Sequence, residues 1–208
     1  MAFSSVALLR PGRISSTSGS ESMTDLVSTA QKIQEFCDRQ GWEFCIIGGL
    51  AVQFWGEPRL TRDIDLTLLT GFGGEEVYID ALLSEFPARL LDAKEFALSK
   101  RVLLLKSVAG IGIDISLGAL PFEEVIVARS ERHEYLPGIE LRICTAEDLI
   151  VLKAFAARDK DWGDIGTILQ KQDRLDWNYI FSNITPLAEI KSAPEIIVKL
   201  KELRSKYA

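Results

Sequence analysis

The run "RDIDLTLL" places two carboxylates, Asp63 and Asp65, in a segment that otherwise reads as an apolar β-strand. Side chains two positions apart on a strand point to the same side, so the two acids project together while Ile64 and Leu66 face the opposite way. Like charges held that close repel unless a cation stands near them. A fold that accepts this strand must therefore bury one of its faces and offer a source of positive charge at the other. Asp114 repeats the pattern in "GIGIDIS", an isolated acid between Ile113 and Ile115.

If the two strands are neighbours, Asp63, Asp65 and Asp114 form one cluster. That cluster suits magnesium, a hard ion that takes oxygen ligands and shares its coordination sphere with phosphates. It could hold two ions, or one ion with the third acid left to accept the proton of an attacking hydroxyl. The preceding "EFCIIGG" is a short strand stopped by Gly48-Gly49, and "LAVQFWG" has the length of a short helix. A glycine pair between strand and helix lets the backbone approach a ligand, and N–H groups at a helix start favour phosphate. Arg59, Thr61 and Arg62 follow just ahead of the acids and can add donors to a triphosphate. A lone Gly-Gly is more often only a turn, and a lone acid can mark a solvated edge. The combination of "GG", a 13-residue gap, "DID" and a later "IDI" is hard to obtain from packing alone.

The remaining pattern predicts a mixed α+β chain. Leu26, Ala30, Ile33 and Phe36 set one face of a helix over Thr24 to Gln40. "GGEEVYIDALLSEF" reads as a helix with Val77, Ile79, Leu82 and Leu83 on one side, and "RVLLLKSV" with "GIGIDISLG" as a hairpin about Ala109-Gly110. Pro121 opens a helix in "PFEEVIVARS", "GIELRICT" is a last short strand, and Thr145 to Asp148 is a capping pattern for "AEDLIVLKAFAAR". "DWGDIGTILQK", "DWNYIFSNI" and "APEIIVKLKELRSK" continue as helices. The expected organisation is a tail or leader over residues 1–22, a sheet-containing core over 23–145, and a helical part over 146–208 packed on it. The Ser-rich first 22 residues are read as a disordered tail, a targeting leader, or an extension upstream of a start at Met23.

Composition narrows the classes. The net charge of −6 does not advertise a broad nucleic-acid groove. No apolar run approaches the roughly 20 residues needed to cross a bilayer, so a cytoplasmic protein is expected, with no membrane partner. Cys37, Cys45 and Cys144 lack metal-ligand spacing and read as buried free thiols. His133 reads as a surface residue. Trp55 and Trp162 read as packing aromatics, with nucleotide lining as the alternative.

Gly48-Gly49, Asp63-Ile64-Asp65 and Asp114, in that order, resemble the DNA polymerase beta-type nucleotidyltransferase superfamily. Within it, "GGLAVQFWGEPRLTRDIDL" is most similar to the small bacterial nucleotidyltransferases related to the AbiEii/AbiGii toxins, through Arg59, Thr61, Asp63 and Asp65. "TAEDLIVLKAFAARDKDWGDI" also resembles those proteins, so the likeness spans about residues 42 to 170. It implies a small mixed sheet flanked by helices, two magnesium ions and a nucleoside triphosphate. Asp63 and Asp65 would hold the metals, and Asp114 would ligate one and help activate the acceptor. Lys153 and Lys160 would contact triphosphate or acceptor, with a solvated helix face as the bland alternative. The cluster Arg158-Asp159-Lys160-Asp161 would form a site rim or a solvated helix end. The acceptor hydroxyl would belong to a tRNA end, a protein or a small molecule such as an aminoglycoside or lincosamide, and a cognate antitoxin is a possible partner. The competing class is a non-catalytic nucleotide- or partner-binding module of a toxin–antitoxin pair.

Overall fold

The protein is described here by a computed structural model that covers residues 18–207, with side chains from Met23 onward. Of the expected tail, residues 1–17 lie outside the described residues. Six strands form one mixed sheet: β1 (Phe44–Ile47), β2 (Asp63–Leu69), β3 (Val102–Lys106), β4 (Gly112–Gly118), β5 (Glu131–Leu136) and β6 (Ile139–Ile143). Their order is β3-β4-β2-β1-β6-β5. The β2–β4 and β1–β6 pairs are parallel and the other three antiparallel. The helices among the described residues are α1 (Ser18–Gln40), α2 (Gly48–Trp55), α3 (Glu75–Glu85), α4 (Ala93–Lys100), α5 (Pro121–Arg129), α6 (Ala146–Ala156), α7 (Asp159–Lys171), α8 (Trp177–Ile190) and α9 (Glu195–Tyr207). This is the expected α+β architecture, with a helical C-terminal part. None of these helices is long and apolar enough to cross a membrane.

The core follows the two periodicities. Leu26, Ala30, Ile33 and Phe36 of α1 are buried at helical spacing, as expected, and α1 starts at Ser18, ahead of Thr24. Ile64, Leu66 and Leu68 of β2 and Ile113, Ile115 and Leu117 of β4 are buried at alternate positions. Each such side chain contributes about 1.5–3 kcal/mol of transfer free energy. Pro121 opens α5, where the Glu123 carboxylate accepts from the N–H groups of Ala119 and Leu120. Thr145 caps α6 through the Asp148 N–H, at 3.2 Å.

Four readings change. Val77 is 73% exposed instead of sharing the buried side of α3, because at 100° per residue it lies about 200° from Ile79. Helix α8 runs past Ile184 to Ile190, with Pro186 inside it, because Ala188 continues the buried Ile180–Ile184 stripe. His133 is half-buried, its ring 4.8 Å from Phe54 and 5.3 Å from Trp55. Helix α4 and strand β5 are additions, since their sequences carry few large apolar residues. The cysteines are free and buried as expected; burial pushes the Cys37 thiol up to about 12 and raises Cys45 and Cys144 as well. Trp55 and Trp162 are packing residues whose indole N–H groups donate to the carbonyls of Cys144 and Ala157.

Candidate active site

The sheet register brings the three acids together. Asp65 stands opposite Asp114 in the parallel β2–β4 ladder, so their side chains share a face, and Asp63 lies two positions away on that face. On the other side of β2, Asp65 pairs with Ile47, the last residue of β1, immediately before the glycine turn.

Gly48 is required by contact and by conformation, and Gly49 by contact alone. Gly48 has φ +64°, and a Cβ on it would come within 1.9 Å of Asp65 Oδ2. A Cβ on Gly49 would meet Thr61 Oγ1 at 2.2 Å, and the Gly49 N–H donates to Asp65 Oδ2 at 3.2 Å. One backbone donor at the start of α2 is thus directed at a carboxylate of the cluster. A third glycine belongs to this set: a Cβ on Gly112, opposite Asp63, would come within 2.1 Å of Asp63 Oδ1.

These acids line an open cleft of about 350 Å³ together with Gly48, Gly49, Arg59, Thr61, Lys153, Arg158 and Lys160. Of the candidates named from the sequence, Arg62 and Asp159 are exposed and outside the lining, and the other catalytic, metal and nucleotide contacts lie within it. Lys153 does not sit on a solvated helix face. It is 6% exposed, and its ammonium donates to Asp164 Oδ2 at 2.8 Å and to Asp161 Oδ1 at 3.2 Å. Arg59 grips Asp164 with two bonds, Nε to Oδ1 at 2.7 Å and Nη2 to Oδ2 at 2.9 Å. Arg158 does the same to Asp161, at 2.6 and 3.1 Å. Lys160 is exposed at the rim.

The cationic wall is therefore three bases built around two buried carboxylates of α7. Burial pushes Asp161 and Asp164 up, but Arg158 and Lys153 for the first, and Arg59 and Lys153 for the second, outweigh it and hold both below the usual carboxylate range. The acid cluster behaves in the opposite sense. Burial raises Asp65, with Asp63 adding to the rise against the Gly49 N–H and Lys153. Burial also raises Asp114, where Asp65 and Asp63 add to the rise against Arg89.

Asp164, Gly112 and Arg89 were not among the site candidates, and Asp161 was named only as part of the charged rim. Arg89 makes an ion pair with Asp114. Asp161 and Asp164 had a signal: spaced i, i+3 in "DKDWGDIGTIL", they share the helix face of Ile165 and Ile168. Arg89 had none, because the fold brings it in from 25 residues away. No group of three acidic, histidine or cysteine side chains among the described residues stands arranged as a ready ligand set. The Asp114 carboxylate is taken up by Arg89, and one Asp65 oxygen by the Gly49 N–H.

No protein-family model matches the chain, and no curated protein sequence does. Among solved structures, it is similar to an antigenic nucleotidyltransferase-like protein from Paracoccidioides brasiliensis, with 15% identity over 88% of this chain and 93% of that one and a TM-score of 0.48. It is also similar to the antibiotic-resistance factor ANT(2'')-Ia in solution, with 18% identity over 89% and 92% of the two chains and a TM-score of 0.48. For the lincosamide antibiotic adenylyltransferase LnuA in its lincomycin-bound form, identity is 14% over 68% of this chain and 94% of that one, with a TM-score of 0.46.

Proposed function

We propose that the chain is a magnesium-dependent nucleotidyltransferase that moves a nucleoside monophosphate from a nucleoside triphosphate to an acceptor hydroxyl. Residues 23–145 are its catalytic core, and residues 146–208 pack on that core and supply all of the cationic wall except Arg59. The observation that carries this reading is the Asp65–Asp114 register, which puts three acids from two parallel strands on one face, opposite bases held by α7.

The residues fit magnesium. The donors are oxygens only, and the absence of a Cβ at Gly48 and Gly112 gives the carboxylates of Asp65 and Asp63 their room. Asp63, Asp65 and Asp114 would hold the ions, which when bound supply positive charge to the triphosphate and the departing pyrophosphate.

The chain's own groups do the rest. Asp114 takes the proton of the acceptor hydroxyl as that oxygen bonds to the α-phosphorus; the α–β phosphoanhydride bond breaks and pyrophosphate leaves with its electron pair. A carboxyl raised by burial and by its acidic neighbours is shifted in the direction a base needs at neutral pH. Lys160 and Arg158 at the rim meet phosphate oxygens. Lys153 and Arg59, fixed by Asp161 and Asp164, keep positive potential over the cleft without having to be ordered when substrate arrives.

Incubation with triphosphates labelled at the α-phosphate, together with total cell extract, tests this reading. Transfer of label to a hydroxyl-bearing molecule is expected, lost in Asp63→Ala and Asp65→Ala proteins that remain folded. Label on tRNA or protein supports a toxin-type enzyme, and label on a small metabolite or antibiotic supports a modifying enzyme. No transfer with any triphosphate, together with no divalent-metal binding, would sink it.

A further inference from the structure

Arg89 reaches Asp114 from outside both acid-bearing strands. Its segment runs beside β3: Ala88 bridges to Leu105, the Arg89 N–H donates to the Leu104 carbonyl at 3.0 Å, and the Lys106 N–H donates to the Pro87 carbonyl at 2.9 Å. Leu104 lies opposite Asp114, which lies opposite Asp65. Arg89, Leu104, Asp114 and Asp65 therefore form one row across the sheet, and the Arg89 side chain extends along it over the acid face. Nη2 bonds to Asp114 Oδ1. Nη1 lies 3.2 Å from the point a Cβ on Gly112 would take, and Asp63 Oδ1 lies 2.1 Å from that same point. One guanidinium thus pairs with one acid of the cluster and lies alongside a second.

We infer that Arg89 is a resident counter-ion of the acid cluster, one that competes with a divalent cation for Asp114 and yields when nucleotide brings phosphate to the site. This rests on the metal-binding reading above. A guanidinium cannot give up its charge by losing a proton, so it and a divalent ion on the same carboxylate repel. One must leave. The exposures say which cations can move. The side chains of Lys153, Asp161 and Asp164 are 7%, 0% and 5% exposed, a set that is costly to break. Arg89 and Asp114 are 29% and 34% exposed, so either can be resolvated at small cost. A planar fork released from a carboxylate is matched to phosphate oxygens.

Manganese(II) is the probe, with binding to nucleotide-free protein read by electron paramagnetic resonance for wild type, Arg89→Gln, Arg89→Lys and Asp65→Asn. Circular dichroism and urea melts establish that each is folded. Arg89→Gln is expected to bind manganese about tenfold more tightly than wild type, equivalent to ~1.4 kcal/mol. Arg89→Lys, a single nitrogen on a shorter reach, is expected to gain a few-fold, and Asp65→Asn to lose binding. A non-hydrolysable triphosphate analogue should narrow the difference between wild type and Arg89→Gln. Equal or weaker manganese binding by Arg89→Gln, with Asp65→Asn still abolishing it, overturns the role of Arg89 and leaves the metal site standing. Should Arg89→Gln fail to fold, Arg89→Lys decides, and no gain there overturns the inference. Absence of manganese binding in every variant, with and without nucleotide, overturns both readings.

Discussion

Gly112 stands opposite Asp63 in the β2–β4 ladder, and the one methyl group it lacks would overlap the Asp63 carboxylate at 2.1 Å. Gly112 is not among the glycines with positive φ, so Gly112→Ala acts through contact alone. Its expected effect is a loss of turnover of about 100-fold, the scale of a 1 Å misplacement in a site. The accompanying stability cost is about 1–3 kcal/mol from overpacking. Pyrophosphate release measured beside a urea melt separates the two. Full activity would show that the position of Asp63 is unimportant.

Gly48 and Gly41 form a matched comparison. Both have left-handed backbones, at φ +64° and +68°, but a Cβ at Gly41 would have nothing within 4 Å. Alanine at either is expected to cost about 1–2 kcal/mol through the backbone. Only Gly48→Ala should also abolish transfer, because it displaces Asp65. Equal activity of the two variants would refute the view that this turn is shaped for the carboxylate.

Lys153 and Lys160 were indistinguishable as sequence positions and differ in burial. Lys153→Met removes one partner from a buried pair and is expected to cost about 3 kcal/mol. Lys160→Met, at an exposed site, should stay within about 0.5 kcal/mol. Both should raise the KM for the triphosphate. Urea denaturation and steady-state kinetics check the pair.

Two sets of acids give stability opposite pH dependences. Asp161 and Asp164 are held below their unfolded values, so their contribution is present above about pH 4 and is lost as pH falls through their depressed folded values. Asp65 and Asp114 are raised, so theirs is full below about pH 4 and disappears as pH rises through the raised values, after which the charged forms oppose folding. In chelator at pH 7, Asp65→Asn should therefore melt higher than wild type, and the difference should vanish near pH 3.5. Asp161→Asn should melt lower at pH 7. Melting curves across that range, with the reverse order as the refuting result, decide it.

The acids and the glycine turn were legible because they break the rule of their surroundings: a carboxylate within Ile and Leu has few reasons to exist. The hairpin and most helices were legible from periodicity. Helix α4 was not, since Ala93 and Ala97 are the only side chains it buries fully and neither gives a strong apolar signal. Strand β5, "ERHEYL", is a half-exposed edge whose alternation is blurred by charge and a bulge. Arg59, Lys153, Arg158 and Lys160 were legible as residues but not as partners, and Arg89 was not legible at all. Arg59 meets Asp164 across 105 positions, and Arg89 arrives through a two-residue bridge that no local pattern encodes.

That 105-residue reach has a consequence for synthesis. A chain that has emerged from the ribosome through Gly118 has exposed all three acids and both strands that carry them, while Lys153, Asp161 and Asp164 have yet to emerge. Until α7 emerges, Arg59 has no carboxylate to hold it and the acids face no wall of positive charge. Assembly of the cleft therefore waits on the last quarter of the chain, and a prematurely terminated product would carry the acid motif without the electrostatic setting that gives it a use.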